Sequence, residues 1–288
     1  MERPPARVAL AVVIEKASTV TREKILLASD GGVASAAAMR WVIDHVGGRP
    51  AEVDIEVEIV DTTAATAENG ERHRSVQSMA ELLRVVAPDV RVSVSASASD
   101  EALHVLERQP DVLLVVGVHR RDHNGSRWAE RAVERSSGPV VVVPSEWISR
   151  QGPIMVGVGA EDAPSPALAF AEREAASRHT EVKLIHAWDT TGPGEVPPAW
   201  DFGTESIPER QRGALARLVR REKDSHPGLN LTAEAVQGQV VAKLGAAARS
   251  ASLLVVGRSH RAAVTRALFG SSAAGLLEKL PCPVAVVP

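Results

Sequence analysis

The chain reads as an α/β protein of two tandem, doubly wound domains, each a five-stranded parallel sheet covered by helices. Three observations predict this. "LLVVG" occurs at Leu113–Gly117 and again at Leu253–Gly257, an offset of 140 residues, and "PVVVVP" from Pro139 is echoed by "PVAVVP" from Pro283, an offset of 144. The strand-like segments are apolar end to end, as strands buried on both faces are. Between them lie segments with apolar residues at helical spacing, as parallel crossovers require.

In the first half, "KILLAS" (Lys24–Ser29) is a continuous apolar run followed by "DGG". Met39, Val42, Ile43 and Val46 then fall at i, i+3, i+4 and i+7, one face of a helix. Further strands are expected at Val53–Val60, Val90–Val94, Val112–Val116 and Val140–Val143, with helices near Glu71–Val86, Ser99–Arg108 and Ser126–Arg135. The second half repeats the order. Its strands fall near Ile154–Val158, Glu181–Ala187, Leu229–Ala235, Leu253–Val256 and Val284–Val287, and its helices near Pro166–Arg178, Ser206–Lys223, Val240–Ala248 and Ser271–Leu280. The domains are then residues 1–147, of which 1–23 form an extension, and 148–288. The last strand of each half carries no charge and would make a poor exposed edge, so the two should pair with each other or with another chain.

With 288 residues, 44% hydrophobic and 24% charged, the composition is that of an ordinary globular protein. A formal charge of -3 gives no bulk attraction to nucleic acid or to anionic membranes. The single cysteine, Cys282, excludes an intrachain disulfide and fits a reducing, cytoplasmic setting. The apolar run Val8–Ile14 is closed by Glu15 and Lys16, too short to span a bilayer and without a cleavage pattern. It suits an added strand or a helix start.

Ligands of open α/β sheets bind beyond the carboxyl ends of the strands, and two related loops leave the sheet there. They are "VVGVHRRDHNGS" (Val115–Ser126) and "VVGRSHRAAVTRALFGSS" (Val255–Ser272). A strand, a glycine loop ending in Gly-Ser, a short helix and a terminal "PVxVVP" strand together resemble the universal stress protein family, over nearly the whole chain after about Lys24. Nucleotide-binding members of that family carry Gly, two residues, Gly, nine residues, Gly and then Ser or Thr, and an Asp directly after the first strand.

The second half keeps this spacing as Gly257, Arg258, Ser259, then His260 where the second glycine would be, then nine residues and Gly270-Ser271. The resemblance implies phosphate contacts from Gly257, Arg258, His260, Gly270, Ser271 and Ser272. Glycines let backbone amides approach phosphate oxygens, and Ser271 stands before an amphipathic helix (Ala273, Leu276, Leu277, Leu280) whose N-terminus favours an anion. Gly159 stands where the aspartate would be. The first half keeps that aspartate as Asp30 and the ends of the loop as Gly117, Gly125 and Ser126, but has seven residues between the glycines where the second half has twelve. Each half retains a different part of the site.

The cations of the two loops admit two readings, phosphate binding or an ordinary solvated loop. Asp30 likewise is either a ligand or a residue before a helix start. "SDGGVAS" is similar to the SGGxDS phosphate loop of ATP pyrophosphatases, but Ala34 stands where that motif needs its Asp. His119 and His123 are four apart with only Asp122 beside them, so no metal site is expected. No acid–base or nucleophilic constellation recurs in both halves, so no catalytic residue is assigned.

The resemblance therefore implies a cytoplasmic, non-enzymatic stress-response protein able to bind ATP or AMP, chiefly in its second half, with the adenine near His186–Trp188. The alternative is a degenerate protein-interaction or homodimerisation module that binds no nucleotide. The turn-rich stretch Asp189–Glu205 suits a lid or a disordered loop.

Overall fold

The computed structural model describes residues 21–50, 53–62, 70–97, 103–104, 106–119, 123–159, 166–188, 206–257 and 281–288. The expected Val8–Ile14 segment, the helix Ser271–Leu280 and the Asp189–Glu205 stretch lie outside them.

Ten strands form one sheet in the order β3-β2-β1-β4-β5-β10-β9-β6-β7-β8. The first half supplies β1 (Thr21–Ser29), β2 (Val53–Asp61), β3 (Arg91–Ala96), β4 (Val112–Val118) and β5 (Val140–Pro144). The second supplies β6 (Ile154–Val158), β7 (Val182–Trp188), β8 (Leu231–Gln237), β9 (Leu253–Gly257) and β10 (Val284–Val287). Neighbours within each half are parallel. The halves join through the antiparallel pair β5–β10, with Val142 opposite Val284 and Val140 opposite Val286. The two uncharged last strands thus cover each other inside the chain. Because this one junction is antiparallel, the carboxyl ends of the two half-sheets point in opposite directions.

Helices cover both faces. On one lie α1 (Val33–Gly47), α2 (Gly70–Val86), α4 (Pro166–Arg178) and α5 (Ile207–Ser225), over a core that runs through both halves. On the other lie α3 (His123–Arg135) and α6 (Val240–Ala247), with Leu103, Leu106 and Cys282. Central strands read as continuous apolar runs because both faces are covered, whereas the edge strands β3 and β8 carry exposed polar positions. Met39, Val42 and Val46 of the expected α1 face are buried, while Ile43 is only partly so and Trp41 is wholly buried. The α1 stripe is wider than its spacing suggests because the helix also packs toward α4 of the second half, through Trp41 and His45.

Several boundaries differ from expectation: β1 starts at Thr21, not Lys24, and β8 runs Leu231–Gln237, not Leu229–Ala235. Helix α3 starts at His123, not Ser126, because the shortened connection leaves only residues 119–122 after β4. Strand β3 runs one residue later at its start and two at its end than the apolar run Val90–Val94. Among the described residues no helix is long and apolar enough to cross a membrane.

Candidate functional site at the strand-order reversals

Strand order reverses once in each half, between β1 and β4 and between β6 and β9. A crevice opens at the carboxyl ends of such a pair, because the following helices depart to opposite faces of the sheet. The last registered pair is Ala28–Val116 in the first half and Gly157–Val256 in the second. One residue further on, Ser29 and Gly117 correspond to Val158 and Gly257. Asp30 therefore corresponds to Gly159, as the repeat alignment has it. The two crevices lie at opposite ends of the sheet and cannot share one ligand.

In the first crevice the Asp30 N–H and both carboxylate oxygens have partners inside the protein. Its Oδ1 accepts from the Gly32 N–H at 2.9 Å and from the Ser35 hydroxyl at 2.7 Å, and its own N–H donates to Ser35 Oγ at 3.0 Å. Its Oδ2 lies 3.1 Å from Arg72 Nη1 on α2. This closes a ring around the first turn of α1, where Gly32 is the N-cap. Gly31 takes φ +70°, and a side chain there would meet the Arg72 carbonyl at 2.4 Å.

Gly117 serves the same helix. A Cβ on Gly117 would stand 2.0 Å from the Ala34 carbonyl oxygen, so this glycine lets the first turn of α1 lie against the end of β4. Gly117 and the Asp30 turn are thus brought together. Gly125 and Ser126 are not at a loop end as expected, but in the first turn of α3. Beside the crevice, Asp61 ends β2 fully buried, and its Oδ2 lies 2.6 Å from Nδ1 of the half-exposed His73 on α2. Neither Asp61 nor Arg72 nor His73 carried a motif. The one available signal was an acidic residue closing β2 directly after the apolar pair Ile59 and Val60.

In the second crevice Gly257 ends β9, partly exposed. Arg258, His260, Gly270, Ser271 and Ser272 lie outside the described residues. At the end of β7, His186 and Trp188 are both 4% exposed and stack with ring centroids 5.8 Å apart. His186 Nδ1 lies 3.0 Å from the Val158 carbonyl, and Nε2 lies 2.7 Å from the side-chain amide of Gln211 on α5. Trp188 Nε1 is buried and has no hydrogen-bond acceptor among the described residues.

Comparison with known proteins follows this geometry. Residues 152–288 match the model of the universal stress protein family. A universal stress protein of Mycobacterium tuberculosis is 28% identical over 216 residues, covering 71% of this chain and 70% of that protein. Another, from Mycolicibacterium smegmatis, is 28% identical over 155 residues, 53% of this chain and 52% of its own length. Among solved structures, a universal stress protein from Archaeoglobus fulgidus superposes with a TM-score of 0.57 at 16% identity, covering 92% of this chain and 95% of that one. One from Pseudomonas aeruginosa superposes with a TM-score of 0.58 at 13% identity, covering 94% of each. At these identities the structural likeness establishes the fold.

Proposed function

We propose that the chain, whose residues 152–288 match the universal stress protein family, is a cytoplasmic, non-enzymatic stress-response protein of that family that binds ATP or AMP through its second half. The observation that carries this reading is the asymmetry of the two crevices. In the first, Asp30 is engaged by Gly32, Ser35 and Arg72, and the space over Gly117 is taken by the Ala34 carbonyl. In the second, Gly159 stands in place of the aspartate, but the loop after Gly257 keeps twelve residues before Gly270-Ser271. Phosphates would lie over the amides of that loop, near Arg258, His260 and Ser272. The buried Trp188 N–H, without an acceptor among the described residues, supplies a donor for an acceptor on the base.

Residues 1–147 and 148–288 then divide the work, the first half serving as a structural partner whose own crevice is closed. A second reading is a non-binding interaction or homodimerisation module. It is favoured by His260 in place of a glycine and by His186, whose two ring nitrogens already have partners.

Thermal melts of the full chain with ATP, AMP or no ligand separate the two, since a ligand that binds only the folded state raises the midpoint. A rise that Gly270→Leu abolishes is expected. No rise at millimolar nucleotide would favour the second reading, and a rise that survives the substitution would move the site elsewhere.

A further inference from the structure

We propose that Glu172, Glu222 and His226 form a binding site for a zinc-type divalent cation, joining α4 to the carboxyl end of α5. Glu222 and His226 stand one helical turn apart at the end of α5, and Glu172 faces them from α4. His226 Nδ1 lies 3.5 Å from Glu172 Oε1 and 3.9 Å from Glu222 Oε2. The ligand atoms of the three residues all fall within 4.8 Å of one another. These are separations between ligands around a common centre. An ion equidistant from the corners of such a triangle sits roughly 2.4 Å from each or closer, and a few tenths of an ångström of closure brings it to the ~2.0–2.2 Å of zinc with imidazole and carboxylate.

Two further observations support a cation site there. Glu172 Oε1 is buried and makes no hydrogen bond among the described residues, its ion-pair partner His226 Nδ1 standing off at 3.5 Å. Glu222 is oriented from behind, because Arg221 donates to its Oε1 from Nε at 3.0 Å and from Nη2 at 2.8 Å, leaving Oε2 for the cluster. His226 is half exposed, which leaves an open side for water as a further ligand. An imidazole with two carboxylates suits zinc-type ions better than calcium or magnesium, which take oxygen ligands.

The test uses the full chain stripped with EDTA and desalted, titrated with Zn2+ against a chromophoric chelator and followed in parallel by thermal melting. One equivalent of Zn2+ should bind and raise the midpoint. His226→Ala and Glu172→Gln should each weaken binding by about 100-fold or more while the metal-free fold, followed by circular dichroism, is retained. Co2+ in place of Zn2+ should give a visible spectrum that His226→Ala abolishes. Because His226 is half exposed, its variant decides the question even where Glu172→Gln fails to fold. No binding to the parent chain, or binding that His226→Ala leaves unchanged, would overturn the proposal.

Discussion

His45 Nδ1 lies 3.1 Å from Glu174 Oε2, a contact between the two halves of the chain in which both side chains are wholly buried. His45 Nε2 lies 3.0 Å from Glu23 Oε1. A neutral imidazole has one N–H, so a ring facing a carboxylate at each nitrogen is held as the imidazolium. Arg49 bonds Glu23 from Nε at 2.9 Å and Glu174 from Nη2 at 2.7 Å, and Arg178 lies 3.3 Å from Glu174. Trp41 stacks on the His45 ring with centroids 4.9 Å apart. Removing one member of a buried ion network leaves the others desolvated and unpaired. Glu174→Gln, which leaves three cations short of a partner, should cost about 3–5 kcal/mol in urea unfolding. A loss below about 1 kcal/mol would mean that the halves do not depend on this contact.

The same network sets a stability profile with two limbs. Burial lowers the His45 pKa, but Glu174 and Glu23 outweigh burial and the opposing Arg49, so it ends above its usual 6.5. Its contribution is complete below the unfolded value and is lost as pH rises through the raised folded one. Glu174 runs the other way. Burial raises its pKa, yet His45, Arg49 and Arg178 hold it at about 2, so its contribution is present above 4.5 and is lost as pH falls toward 2. The urea midpoint should be highest between 4.5 and 6.5 and decline on the alkaline side. His45→Gln should flatten that alkaline limb. An unaltered limb would assign the titration to another group.

Gly117 gives a prediction that separates packing from ligand binding. Its missing Cβ would meet the Ala34 carbonyl oxygen at 2.0 Å and the carbonyl carbon at 2.3 Å. Both are backbone atoms in the first turn of α1, and neither can swing aside as a side-chain tip can. Gly117→Ala should therefore lower stability by about 1–3 kcal/mol or more with no nucleotide present. Equal stability in ligand-free melts would leave only a ligand to explain the glycine.

These two cases mark what could be read from the chain. The "LLVVG" and "PVxVVP" repeats located the strands, because continuous apolar runs arise wherever both sheet faces are covered, and the observed register places Asp30 and Gly159 in equivalent positions. The role of Gly117 was less legible, since close approach of a helix and close approach of a phosphate both call for glycine. The His45–Glu174 contact spans 129 residues and follows from how the halves dock through β5 and β10, which periodicity within either half does not encode. Glu172 and His226 stand on two helices of the second half, too far apart in sequence for local spacing to pair them. Helix α3 began early because nothing in "HNGS" marks a start more firmly than the shortness of the connection.

Asp30 is where the structural and functional readings give different numbers. Its Oδ1 accepts from the Gly32 N–H and the Ser35 hydroxyl in the turn that leads into α1, a role that Asn can also fill through its amide oxygen. Its ion pair with Arg72 joins side chains 42% and 57% exposed, a setting in which solvent leaves such pairs worth about 0–1 kcal/mol. Asp30→Ala should thus cost about 1 kcal/mol in ligand-free unfolding and Asp30→Asn about half of that or less. With ATP or AMP added, both variants should show the same rise in melting midpoint as the parent, because the proposed phosphates lie at the opposite end of the sheet. A rise that shrinks in both variants, Asn included, would mean that the carboxylate itself touches the ligand and that the first crevice opens to admit it.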